Sequence, residues 1–216
     1  MAILDRRATL IVWAFLIGVI VSEGWATLAV FGGKKGLLVS LSHYTFTPPG
    51  NAPAWGLAAL ATLLYVAYAA ARSATIRTHL LRPSTWRPYI VIRIVAVAAA
   101  LISGFFEEAF FRKFLMDWAM RHGHDIAAQI VLSALIFGAA HAIWGIAGGN
   151  LRAALGAMLA TSVLGAALAV VYVVGGRSVA PCVAAHIAIN LLIEPWLIIT
   201  SATNGWRGAI KPPTSP

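Results

Sequence analysis

Charge is scarce in this sequence. Of 216 residues, 7 are Asp or Glu and 16 are Lys or Arg, so charged side chains make up 11% of the chain against 60% hydrophobic. A soluble domain carries charge on about a quarter of its residues, and this chain falls far short of that. A single cysteine excludes an intrachain disulfide, and with neither CxxC nor HExxH present, cysteine usage does not point to a redox compartment. Internal repeats and low-complexity tracts are missing too. The opening MAILDRR precedes an apolar run too long for a secretory signal and ended by no clear small-x-small cleavage site. It predicts a retained first helix.

What the chain has is long apolar runs, with a mean hydropathy of +0.83. A spanning helix needs roughly 20 mostly apolar residues. Runs of about that length lie within Leu10 to Phe31, Trp55 to Ala71, Tyr89 to Met120, Ile126 to Trp144, Leu151 to Val174 and Val179 to Thr200. They predict an all-α fold, a polytopic membrane helix bundle of about six to seven transmembrane helices with its active site buried between them. The close spacing leaves room for one integral-membrane domain over residues 1–203, with its motifs within 89–200, and a flexible polar tail over 204–216. The first connection, GGKKGLLVSLSHYTFTPPGNAPAWG, is rich in Gly and Pro and reads as irregular or partly interfacial. Most tryptophans, Trp196 among them, fall near predicted span ends and read as an aromatic belt.

The net charge of +9 would suggest nucleic acid in a soluble protein, but these arginines lie between spans. Arg72, Arg77, Arg82, Arg87 and Arg93 cluster around the second connection. The positive-inside rule places them, and with them both termini, in the cytoplasm. The expected setting is a membrane, with the lipid bilayer as partner and no nucleic acid. Lys34 and Lys35 then fall in an outer loop.

Ionisable residues inside spans are costly and mark functional sites. Here they are Glu23, Glu107, Glu108, Arg112, His141, His186 and Glu194, with Asn190 as a neutral companion. If the third and fourth spans form a hairpin turning near Gly123, residues at equal depth have numbers summing to about 246. Glu107 is then level with Ala139, close to His141. The last hairpin turns near Gly175 and Gly176, which puts His186 roughly 16 Å from its turn and Glu107 roughly 24 Å from its own. Tilt has to close that difference.

Spacing adds detail. Glu108 and Arg112 stand at i,i+4 and can pair, while Phe137 shares a helical face with His141, and His186 with Asn190. A carboxylate in apolar surroundings is a good proton acceptor, whereas one held by arginine stays ionised. If Arg112 holds Glu108, Glu107 is the free base. Histidine and asparagine can donate to a developing oxyanion.

Three motifs carry a resemblance: EEAFFR at 107–112, FGAAH at 137–141 and HIAIN at 186–190. The sequence resembles the CPBP family, the CAAX proteases and bacteriocin-processing enzymes also called Abi, whose pattern is EExxxR, FxxxH and HxxxN in that order. The likeness covers the chain from the third span on. It implies a metal-independent glutamate-type intramembrane endopeptidase without cofactor, in which Glu107 and His141 activate water and His186 and Asn190 form the oxyanion site. Glu108, Arg112 and Phe137 would support that site. Eukaryotic CAAX enzymes of the family have about eight spans against about six here, so the shorter bacterial members stand nearer and a prenylated substrate is not implied.

Two other readings stay open at this level. Glu107, His141 and His186 form a carboxylate-and-two-imidazole set suited to catalytic zinc. Alternatively, the buried polar groups serve recognition alone, in a non-proteolytic immunity or scaffold protein. Cys182 stands at i,i+4 from His186 but reads as a small buried thiol. Glu23 and Glu194 receive no catalytic role, and His122 and His124 read as exposed turn residues.

Overall fold

The computed structural model describes residue 4 and residues 6–32, 36–82, 89–147 and 150–202. The expected tail, Lys34, Lys35 and Arg87 lie outside them. Every regular element is helical: α1 Arg6–Phe31, α2 Leu37–Phe46, α3 Ala52–Arg72, α4 Ala74–Leu81, α5 Ile90–Glu108, a π-helical continuation Ala109–Met116, α6 Asp117–Arg121, α7 Ile126–His141, α8 Ile143–Ala147, α9 Leu151–Val174 and α10 Ala180–Ala202.

Among the described residues, five helices are long and apolar enough to cross a membrane: α1, α3, the continuous Ile90–Arg121, α9 and Ala180–Ile199 within α10. The all-α membrane bundle is therefore observed, and the protein is an integral membrane protein. The fourth expected span is shorter than its apolar run, since α7 has 16 residues and ends at His141. The first connection is also more regular than its Gly and Pro content suggests, because the ten residues of α2 form a helix inside it.

Helix boundaries follow from local chemistry. Asn51, Ser73, Asp125 and Asn150 each cap a helix by accepting a backbone N–H with their side-chain oxygen. Gly123, at φ 82°, takes the left-handed turn between α6 and α7 that an L side chain resists. The outward faces of α1, α3 and α9 expose Leu10, Val21, Leu63, Leu159 and Val163. That apolar surface suits lipid and would be a liability in water.

The two hairpin turns meet at one end of the bundle. Asp117 Oδ1 accepts from Tyr172 Oη at 2.9 Å and from Arg177 Nε at 2.7 Å. Arg177 Nη1 also donates to Gln129 at 3.2 Å, so one arginine ties the π-helical arm, α7 and the last turn together. At the same end Asn51 Nδ2 donates to the Val174 carbonyl at 2.7 Å and Ser178 Oγ to the Pro48 carbonyl at 2.6 Å. Counting back along the antiparallel pair α3 and α9 from Asn51 and Val174, Arg72 and Arg152 lie roughly 32 and 33 Å away. They therefore stand together at the opposite end.

Trp196 departs from the expected aromatic belt. It is fully buried, stacked on His79 with ring centroids 3.8 Å apart, and Arg93 lies over its ring at 5.4 Å. Packing against the short α4, which sequence periodicity does not reveal, takes it out of the interface.

Candidate active site

Three helices supply the polar groups. Glu107 and Glu108 close α5, His141 ends α7, and His186 and Asn190 lie one turn apart on α10. Gly104 allows α5 to lie against α10, since a Cβ there would stand 2.6 Å from Ile187 Cγ1. Gly138 does the same between α7 and α9, where a Cβ would collide with Ser162 Oγ and with the Met158 carbonyl. The motif helices converge because small residues let their backbones approach.

The π-helical stretch narrows the difference in depth. Bonding from i to i+5 sets more residues along each ångström of axis than an α-helix does, which shortens the arm from the Gly123 turn to Glu107. The hairpin register holds, and Glu107 reaches both histidines.

Glu108 and Arg112 form the expected pair, Nε to Oε2 at 2.9 Å, with both side chains fully buried. Nη2 adds a hydrogen bond to Oε1 at 3.3 Å, Nη1 donates to Ser133 Oγ at 2.9 Å, and Ser133 Oγ donates to the Phe111 carbonyl at 3.0 Å. Phe137 fills the centre, with the Arg112 guanidinium 4.8 Å from its ring centroid and the rings of His141 and His186 at 4.4 and 5.6 Å. It is a wall for three polar groups at once.

Glu108 has a second partner that no local spacing reveals. Its Oε1 lies 2.8 Å from His186 Nδ1, 78 positions along the chain. A carboxylate only accepts, so Nδ1 of His186 carries the hydrogen. The same logic applies to His141, whose Nδ1 lies 2.8 Å from the Phe137 carbonyl. When neutral, each ring turns an Nε2 lone pair inward.

Those two atoms face Glu107. Its Oε2 is 3.6 Å from His141 Nε2 and 4.0 Å from His186 Nε2, and this buried oxygen has no hydrogen-bond partner. Three acceptors thus converge at distances too long for direct hydrogen bonds. What fits between them is a small group with hydrogens to give, or a cation. Asn190 stands beside the trio; its Nδ2 donates one hydrogen to Ser103 Oγ at 3.1 Å and retains a second.

These groups line a cavity of about 630 Å³, walled largely by apolar side chains and reaching Arg72 and Arg152. It also takes in Glu23 and Glu194, two residues to which the sequence reading assigned no role. Glu194 had a signal: His186, Asn190 and Glu194 follow at i, i+4 and i+8, which is one helical face. Ser103 and Ser133 had none, because their importance comes from partners on other helices. Cys182 is buried and donates its S–H to the Leu168 carbonyl at 3.3 Å; it is structural. His122 and His124 are exposed, as expected.

Residues 89–192 match the family described as type II CAAX prenyl endopeptidase Rce1-like. The match covers 104 of the chain's 216 residues and makes this segment similar to that family. The Rce1-like segment begins at the start of α5, contains all three motifs and stops just beyond Asn190, so α1 to α4 lie outside it. The likeness is to a membrane protease family of the CAAX type. No curated protein and no solved structure matches the chain.

Proposed function

We propose that the protein is a glutamate-type intramembrane endopeptidase that hydrolyses a peptide bond of a membrane-associated protein or peptide. The observation that carries this reading is the unpartnered Glu107 Oε2, set 3.6 and 4.0 Å from two imidazole Nε2 atoms inside a largely apolar cavity. A polar gap of that width suits one bridging water. Glu107 takes a proton from that water as its oxygen attacks the scissile carbonyl carbon, and His141 holds the water from the other side. Asn190 directs its remaining amide hydrogen at the oxyanion, and His186 donates from Nε2 when that atom carries a proton. Glu108 on Nδ1 orients the ring and balances its charge. As the tetrahedral intermediate collapses, the C–N bond breaks and the proton held by Glu107 passes to the leaving amine.

The cavity reaches the end of the bundle that carries Arg72 and Arg152, which the positive-inside bias assigns to the cytoplasm. Substrate would enter there, in a protein of the bacterial inner membrane. The test compares new peptide termini in membrane and secreted fractions from cells expressing wild type or Glu107→Ala at matched levels. Termini present only with wild type identify substrate and bond together. Unchanged termini would overturn the protease reading in favour of a non-proteolytic immunity or scaffold role.

One observation supports a second reading. Ligand atoms of Glu107, His141 and His186 lie within 4.8 Å of one another, and both Nδ1 atoms are held by acceptors, as in many metal-ligating histidines. The donor set fits zinc, although the spacings would have to tighten to the roughly 3.4 Å edges of a tetrahedral site with bonds near 2.1 Å. Bound there, the metal would supply Lewis acidity, and Glu108 and the Phe137 carbonyl would orient its histidines.

A further inference from the structure

Two carboxylates in the cavity take no part in the mechanism above. Glu194 sits on α10 one turn beyond Asn190, on the same face as His186 and Asn190, and is only 8% exposed. Its Oε2 is buried and has no hydrogen-bond partner. Glu23, from α1, lines the same cavity and likewise has a buried, unpartnered Oε2. Glu23 therefore shares one cavity with Glu194, Glu107 and His186.

A buried carboxylate without a counter-ion is costly, and among the described residues no ion pair joins Glu194 or Glu23 to a cation; Arg93 lies over the Trp196 ring. Arg112 is locked to Glu108. Arg72 and Arg152 are exposed at the far mouth, and among the described residues no ion pair joins them to Glu23 or Glu194. Pro195, next in sequence, has no N–H to offer the Leu191 carbonyl, so it gives this turn of helix no donor either. The cavity therefore holds a pair of acceptors that, among the described residues, no cation meets in an ion pair.

We infer that Glu194 and Glu23 form a specificity subsite for a basic side chain, lysine or arginine, of the peptide substrate. One helical turn is about 5.4 Å, and an extended peptide advances about 3.3 Å per residue. A side chain reaching Glu194 from a bond held beside Asn190 therefore belongs to a residue within about two positions of the scissile bond. Both glutamates lie outside the residues matched by the family, so the preference belongs to this chain rather than to the family as a whole. The inference rests on the endopeptidase reading and narrows its substrate class.

The test uses the purified full-length protein in lipid nanodiscs with a peptide library, followed by matched peptides that differ only in lysine or norleucine beside the cleaved bond. Wild type is expected to prefer the lysine peptide, and Glu194→Gln or Glu23→Gln to reduce the lysine-to-norleucine ratio of kcat/KM by about tenfold. Glu194→Lys should turn the preference toward a glutamate peptide. Because each ratio is taken within one variant, partial loss of folded protein leaves it unaffected. A wild-type ratio near one, or a ratio unmoved in the variants, overturns the subsite. If wild type cleaves no peptide, matching Glu107→Ala, the endopeptidase reading itself fails and the subsite with it.

Discussion

Glu108 Oε1 and His186 Nδ1 are joined at 2.8 Å although 78 positions separate them. With the Arg112 pair on its other oxygen, Glu108 links the first and third motifs into one buried network. Its neighbour Glu107 faces the cavity with a free oxygen. Two adjacent glutamates thus have different work, and substitutions should separate them.

Glu107→Ala is expected to lower turnover by about 10²- to 10⁴-fold while leaving thermal unfolding in detergent unchanged, because it strands no buried partner. Glu108→Ala strands the Arg112 guanidinium and should cost on the order of 3–5 kcal/mol, read as a lower unfolding midpoint together with lost activity. Unfolding curves of the two variants, run side by side, check the contrast. Equal stability of Glu108→Ala and wild type would contradict it.

Ser103 positions Asn190 by accepting from Nδ2. Ser103→Ala should reduce kcat by a factor of about 3 to 10 with KM nearly constant, a loss of roughly 1 kcal/mol of orientation. Asn190→Ala removes the oxyanion donor and should cost about 10²- to 10³-fold in kcat. Steady-state kinetics on one cleaved peptide distinguishes the two effects.

Gly138→Ala would force a methyl group into Ser162 and the Met158 carbonyl. Overpacking of this kind costs about 1–3 kcal/mol, and here it also displaces His141, three residues on. Activity is expected to fall more steeply than stability. Adding Ser162→Gly removes one of the two colliding groups and should restore part of both, measured by peptide cleavage and by unfolding.

Turnover should survive removal of divalent metal. Purified protein treated with chelator and assayed for metal content is expected to keep full activity with far less than one zinc per chain. Loss of activity restored by stoichiometric zinc would instead favour the zinc reading of Glu107, His141 and His186.

Much of this was legible from spacing. Five apolar runs became long helices, the Gly123 turn brought Glu107 beside His141, and Glu108 met Arg112 one turn away. Each of these depends on neighbours along one helix or across one tight hairpin, where geometry follows from rise per residue. The bond from Glu108 to His186, the role of Ser103 and the burial of Trp196 against His79 depend on how distant helices pack, and no periodicity encodes that. Glu194 was the readable residue left unread, since its i,i+4 step from Asn190 placed it on the helical face that lines the cavity.

The brevity of α7 has a consequence for the surrounding lipid. Sixteen residues extend about 24 Å, whereas the hydrocarbon layer is about 30 Å thick. His141, at the end of that helix, therefore stops short of the headgroups, and the bilayer beside it must thin or let polar groups dip inward. Such a dimple would bring water nearer to Glu107, beside the cavity that opens toward Arg72 and Arg152. It also makes membrane thickness a control on hydration of the site: thicker, stiffer lipid would resist the dimple and leave Glu107 drier.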